Sequence, residues 1–378
     1  MPFNRKVHLV SFAVPFPPNY GGVIDVYYKI AQLKSLGVSV ILHAFTYGSR
    51  QMEDTSSLCE KVYYYERKRS FFDQFSSLPF IVKSRDHKDL LVNLSKDNHP
   101  ILFEGLHTTY FINHPALRER RKFLRMHNIE SDYYFHLYMA EKRWLNKIFF
   151  LLESKKLKRY EDRVLAQQGI SILAISEKDQ NYLKGKFGNS HFIGAFHSFT
   201  EVVSQIGRGN FAFYHGKLDV AENNEAAIFL VNEVFSKVGY PLIIAGANPS
   251  AELVKVASQF KHVQIKSDLN TAEIHTLLKD AQINVLPTFQ STGVKLKLLS
   301  ALFSGRFCLV NDMMVAGTSL QGFCGIANSA EEWIAAIDEL REKEFSVEHI
   351  AERKQIEGSS FSNAANAKNL YALLFPSS

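Results

Sequence analysis

The sequence predicts an α/β chain organised as two successive parallel-sheet domains. Short apolar runs rich in Val, Ile and Phe alternate with amphipathic stretches, which is the pattern of repeated strand and helix units. The alternation lapses in a polar stretch near residue 200 and then begins again. A chain of 378 residues also exceeds one ordinary hydrophobic core and suits two domains of roughly 150–200 residues each.

In the first half, Val7–Phe12, Val38–Phe45, Lys61–Tyr65, Ile101–Phe103, Phe123–Met126 and Ile170–Ile175 read as strands. The segment from Glu130 to Gln168 contains neither Pro nor Gly and reads as one long helix or two broken ones. The stretch Thr200–Asn210 is polar, contains glycine and shows neither period, so the hinge is placed there. Beyond it Phe211–Tyr214, Pro241–Ala245, Val263–Ile265, Ile283–Leu286 and Phe307–Val310 read as strands of the second domain. The expected divisions are 1–200, 201–360 and a terminal helix within 361–378. In that helix Ala365, Leu370, Leu373 and Leu374 fall at helical spacing and suit packing back on the first domain.

Hydrophobic residues make up 46% and charged residues 22%, usage typical of soluble globular proteins, and no run of about 20 apolar residues is free of charge. The opening MPFNRKVHLVSF lacks the apolar segment and cleavage site of a signal peptide. Cys59, Cys308 and Cys324 are too widely spaced for a disulfide framework or a zinc pattern. A cytoplasmic, reducing location is therefore expected. The net charge of +6 fits anionic substrates, a membrane surface or no particular partner, and by itself decides little. Basic residues are spread over both halves with no nucleic-acid motif, so nucleic acid is not an expected partner. The absence of H-x-x-x-H, H-E-x-x-H and C-x-x-C spacings leads us to expect no metal site.

The first segment with chemical content is PFPPNYGGVIDVYYKIAQLKSLG, directly after the first strand. Gly21 and Gly22 open a helix, where backbone amides and the helix dipole suit a phosphate or developing negative charge. A strand-to-helix turn that merely needs glycine is the plainer reading. Strand, proline-rich loop, Gly-Gly and helix together resemble the N-terminus of GT-B glycosyltransferases, and no G-x-G-x-x-G is present. By that resemblance the loop, with Asn19 and Tyr20, faces the donor diphosphate and the acceptor.

The second segment, FLRMHNIESDYY, places Arg125, His127, Asn128 and Glu130 at the carboxyl end of a strand, where parallel sheets gather ligands. The R-x-H-N-x-E run is similar to one in retaining GT-B enzymes. The likeness implies that His127 contacts a donor-sugar hydroxyl, with Arg125 and Glu130 on the acceptor side; a helix-capping role is the alternative. The third, YHGKLDVAENNEAAIFLV, opens the second domain with Gly216 and Lys217. In the family a cation at this place meets the donor diphosphate, whereas a solvated loop lysine is the alternative. The family's second cation, about six residues on, corresponds to Asn223.

The fourth segment, LPTFQSTGVKLKLLSALFSGRFCLVND, resembles the glycine loop and helix of the retaining glycosyltransferases of family 4 (group 1). There Ser291, Thr292 and Gly293 would grip the sugar and diphosphate. Thr292 and Ser300 stand where the family carries two glutamates, a sharp divergence. Lys295 and Lys297 lie near the helix start, unfavourable to its dipole unless an anion sits there; they are replacements for the missing cation or surface lysines. Asp268 and Leu269 fall where the family binds the nucleobase and ribose, although a turn explains Asp268 equally well. The helical stretch 142–163 mixes aromatics with eight Lys or Arg residues, which suits either an anionic membrane surface or a core helix with a solvated basic side.

The resemblance thus implies two Rossmann-like domains (GT-B) facing each other across a deep cleft. It implies hexosyl transfer, retaining and metal-independent, from a UDP- or GDP-linked sugar with no separate cofactor. The acceptor is expected to be a saccharide or lipid-linked, in bacterial surface glycan synthesis at the inner face of the membrane. A non-catalytic carbohydrate-binding or scaffolding module and a sugar-nucleotide epimerase of the same fold are the alternatives.

Overall fold

The computed structural model describes residues 5–18, 21–47, 57–68, 70–141, 143–289 and 296–376. They form two compact units, one from residues of Met1–Ser198 and Ser360–Ser378 and the other from residues within 199–359.

The first unit is built on β1 (Lys6–Ser11), β2 (Ser39–Thr46), β3 (Lys61–Glu66), β4 (Ile101–Glu104), β5 (Lys122–Met126), β6 (Ile170–Ala174) and β7 (Ser190–Phe192). The strands lie in the order β3-β2-β1-β4-β5-β6-β7, every pair parallel. Strand side chains alternate between two buried faces. On one face Phe103, Leu124, Ile172 and Ala174 join one apolar cluster, while Leu102, Phe123 and Leu173 join the cluster on the other. Burying such side chains contributes about 1.5–3 kcal/mol each. The chain steps outward from β1 to β3 and returns beside β1 as β4, so the order reverses between β1 and β4. In sheets of this kind that reversal, at the carboxyl ends, is where ligands bind.

The second face is covered by the Gly21–Ser35 helix, through Val26, Ile30 and Leu33, and by the Asn363–Leu374 helix, through Ala367, Leu370 and Leu374. The stretch after β5 is two helices, Glu130–Ala140 and Trp144–Leu165. The first ends where Glu141 turns extended, at ψ 132°, and Tyr134 meets Phe150 edge-on across the pair.

The second unit holds β8 (Ala212–His215), β9 (Leu242–Ala245), β10 (Val263–Lys266), β11 (Ile283–Leu286), β12 (Phe307–Val310) and β13 (Gly325–Ile326), in the order β10-β9-β8-β11-β12-β13. Its order reverses between β8 and β11. The stretch 200–210 is pinned along this unit: Val203 N donates to Phe303 O at 2.7 Å, and Gly207 pairs with Phe345 as an antiparallel bridge.

Candidate active site

Five charged or titratable side chains converge at the carboxyl ends of β4 and β5. Alternation puts Glu104, two residues after Leu102, and Arg125, two after Phe123, on the sheet face covered by the Gly21–Ser35 helix. Asp25 and Lys29, one turn apart on that helix, point at the same place. Lys29 Nζ lies 2.7 Å from Asp25 Oδ2 and 2.7 Å from Glu104 Oε1. Arg125 donates to Asp25 Oδ1 at 3.0 Å, to Gly194 O at 3.0 Å and to Ile193 O. Phe196 N donates to Asp25 Oδ1 at 2.8 Å. Asp25, Lys29, Glu104 and Arg125 are all buried.

Burial alone would raise the Asp25 pKa, but Arg125 and then Lys29 outweigh it and hold the carboxyl below its ordinary range. Glu104 behaves alike: burial raises it, while Lys29 and His127 bring it below the ordinary value. Both groups are therefore carboxylates, which only accept hydrogen bonds. His127 Nε2 lies 3.1 Å from Glu104 Oε2, so Nε2 carries the proton and the ring orientation is fixed. Its Nδ1, 4.0 Å from Asp25 Oδ2, is beyond hydrogen-bond reach of that carboxylate. The Phe12 ring packs edge-on to His127, with centroids 5.7 Å apart. Gly22 makes room for it, since a Cβ there would lie 2.6 Å from Phe12 Cζ.

Ligand atoms of Asp25, Glu104 and His127 lie within 4.8 Å of one another, a grouping no sequence spacing signalled because three separate elements supply it. Lys29 already bridges both carboxylates, so the positive charge the trio calls for comes from the chain, and we read it as an ion-pair network. Asp25, Lys29 and Glu104 were not singled out from sequence. The available signal was an aspartate and a lysine four apart on the buried side of an apolar helix.

Arg125, expected on the acceptor side, is fully buried as the counter-ion of Asp25. Glu130, expected there too, is buried beside Glu161, whose Oε1 accepts from Ser131 N at 3.2 Å. Burial pushes the Glu130 carboxyl up to about 8 and that of Glu161 to about 7.

In the second unit the turn after β8 is a close backbone approach. A Cβ on Gly246 would lie 1.9 Å from Gly216 O, and one on Gly216 would lie 2.9 Å from Asn223 Cγ. Lys217 is exposed and paired with Asp219 at 3.2 Å. Asn223 Nδ2 donates to Lys217 O at 3.0 Å, and Lys297 Nζ donates to Asn223 Oδ1 at 3.2 Å from over the Tyr214 ring. Lys297 thus brings its ammonium beside Asn223. His215, ending β8, has a ring held by burial and by Lys297 down to about 3.

Asp268 is exposed in a left-handed turn at φ 60°, and Leu269 packs against the Phe213, Ala245 and Leu278 cluster. Ser300 donates to Leu296 O of its own helix at 3.1 Å. Asn19, Tyr20, Ser291, Thr292, Gly293 and Lys295 lie outside the described residues. A cavity of about 540 Å³ in this unit is lined by Phe307 at the amino end of β12, the opposite end of the sheet from Lys217, and has no part in this grouping.

No protein-family model matches the chain. It is 28% identical over 356 residues, 89% of its own length and 88% of the relative's, to an uncharacterized 44.6 kDa protein in the cps region of Klebsiella pneumoniae. Among solved structures it is similar to WaaG, a glycosyltransferase involved in lipopolysaccharide biosynthesis, with TM-score 0.64, 9% identity and coverage of 98% and 100% of the two chains. It is also similar to Anabaena Alr3699/HepE, solved with UDP and glucose, with TM-score 0.67, 10% identity and coverage of 98% and 99%. The chain therefore has the two-unit α/β fold of GT-B glycosyltransferases.

Proposed function

We propose that the chain transfers a hexosyl group from a UDP- or GDP-linked sugar to a saccharide or lipid-linked acceptor in the synthesis of a surface glycan. The observation that carries this reading is His127, oriented by Glu104 and backed by Lys29, at the carboxyl edge of a sheet in a chain of this fold. A buried ion-pair network is expensive to assemble unless every charge is paired, and here the pairing leaves one imidazole in a fixed pose. His127 contacts a hydroxyl of the transferred sugar. Lys217 and Lys297 neutralise the diphosphate as the glycosidic bond breaks, the step at which negative charge grows on the leaving group. In this reading cations of the chain do the work of a divalent ion, and the acceptor attacks the oxocarbenium-like carbon from the face the diphosphate leaves, with retention. The relative from a cps region supports surface glycan assembly, and a lipid-linked acceptor suits work at the inner face of the cell membrane.

Ser300, whose hydroxyl is tied to its own helix where the family has a glutamate, favours a second reading: a binding module or a sugar-nucleotide epimerase. Product analysis separates the three. Incubation with UDP- and GDP-hexoses and lipid-linked or saccharide acceptors, followed by mass spectrometry and anomeric NMR, should yield a new α-linked glycoside from an α-linked donor, with EDTA present. An altered sugar nucleotide would replace transfer by epimerisation. No product from a chain that binds the donor would favour the module.

A further inference from the structure

The Trp144–Leu165 helix carries two opposed faces. Leu157, Tyr160 and Val164 are buried against the first unit. On the other side Ile148, Leu152, Lys155 and Arg159, at helical spacing i, i+4, i+7 and i+11, form one outward stripe whose first half is apolar and second half cationic. All four are exposed. Trp144 and Leu145, at the start of the helix, are 68% and 63% exposed, and Met139, at the end of the preceding helix, is 61% exposed. Phe135 is exposed one turn before it. Except for Leu152, these apolar side chains lie within about two turns, roughly 11 Å along either helix, of the connection between the two helices. The exposed apolar groups therefore gather at one tip, with Lys155 and Arg159 behind it.

Cations outnumber carboxylates around the stripe: Asp132 on the preceding helix is exposed, and Glu141 at the tip accepts from Arg143 N at 2.9 Å and from Asn146 Nδ2 at 3.1 Å. Glu153 and Glu161 are buried, and Asp162 is paired with Lys186 at 2.6 Å. Arg143, Lys155, Arg159 and Arg163 are exposed. An apolar tip with a tryptophan, flanked by cations, matches the two layers of an anionic bilayer surface: acyl chains below the headgroups for the tip, and phosphates for the cations. We propose that this helical hairpin is the surface by which the chain docks on anionic lipid. The inference adds the place of attachment to the membrane-face reading above and rests on it only for biological context. Among the described residues no helix is long and apolar enough to cross a membrane, and the docking proposed here is interfacial.

The test uses the full chain with vesicles of phosphatidylcholine alone or mixed with phosphatidylglycerol. Trp144 and Trp333 are the two tryptophans, and Trp333 is 1% exposed, so quenching by brominated lipid reports Trp144. The wild-type chain should co-sediment with the anionic vesicles, lose Trp144 emission to brominated lipid, and release as salt is raised. L145D/I148D should weaken partitioning about tenfold or more. K155Q and R159Q should each weaken it roughly fivefold. All are exposed positions, and unchanged circular dichroism checks the fold. No binding to anionic vesicles at low salt would overturn the proposal. So would equal binding by L145D/I148D, or a wild-type dimer that this variant dissolves in the absence of lipid. None of these readouts involves transfer, so either conclusion can fail without the other.

Discussion

His127 Nε2 lies 3.1 Å from Glu104 Oε2, and Lys29 Nζ donates to both oxygens of the same carboxylate, at 2.7 Å to Oε1 and 2.9 Å to Oε2. The contact sets which imidazole nitrogen carries the proton and which way the ring faces, so loss of Glu104 should reach chemistry through His127. His127→Ala should lower kcat by about 10²-fold, as when one positioned polar group is removed from an active site. Glu104→Gln should lower kcat by a smaller factor, with KM for the donor little changed, and should alter the pH profile. A change in KM alone would give Glu104 a different role.

Lys29 pairs two buried carboxylates, and removing it leaves both without their shared cation. Lys29→Met should cost about 3–5 kcal/mol of stability, the usual penalty for an uncompensated buried charge, measured by urea unfolding. Lys29→Met combined with Glu104→Leu should cost less than the sum of the two single changes.

Glu130 and Glu161 predict a stability that falls as pH rises. Their folded pKa values, about 8 and about 7, exceed the ordinary value of 4.5, so the folded chain binds more protons in between. The stabilisation is complete below the ordinary value and is lost as pH climbs through about 7 to 8. Thermal unfolding temperatures should decline from about pH 5 to about pH 8 and level off above, and Glu130→Gln should flatten that decline.

The central strands were legible in the sequence because they are buried on both faces and written as continuous apolar runs. β7 and β13 were not: Ser190–Phe192 is three residues, and Gly325–Ile326 is an exposed pair that carries no period. The two helices after β5 were open as one or two, since the break at Glu141 has neither Pro nor Gly to mark it. His127 and Lys217 stood out through their local motifs. The network that orients His127 did not, because Lys29 and Glu104 are 75 positions apart and meet only once β4 has returned beside β1. Arg125 was placed on the acceptor side for the same reason. Its partners Asp25, Ile193 and Gly194 lie far away in sequence, and nothing local shows that its guanidinium is already committed.

Lys297, reaching Asn223 at 3.2 Å, predicts a rescue. Lys297→Met should weaken nucleotide-diphosphate binding about tenfold, in the range of one charge-assisted hydrogen bond. Asn223→Lys in that background should recover much of the loss. Without recovery, the cation at this place is not what binding requires.

Calorimetric titration of the chain with UDP, GDP, ADP and their hexose conjugates tests the nucleotide-sugar donor site most directly. The expected result is saturable binding of one UDP- or GDP-linked family, weakened at least about tenfold by Lys217→Ala. Absence of binding by every nucleotide at millimolar concentration, or binding that Lys217→Ala and Lys297→Met both leave unchanged, would contradict it.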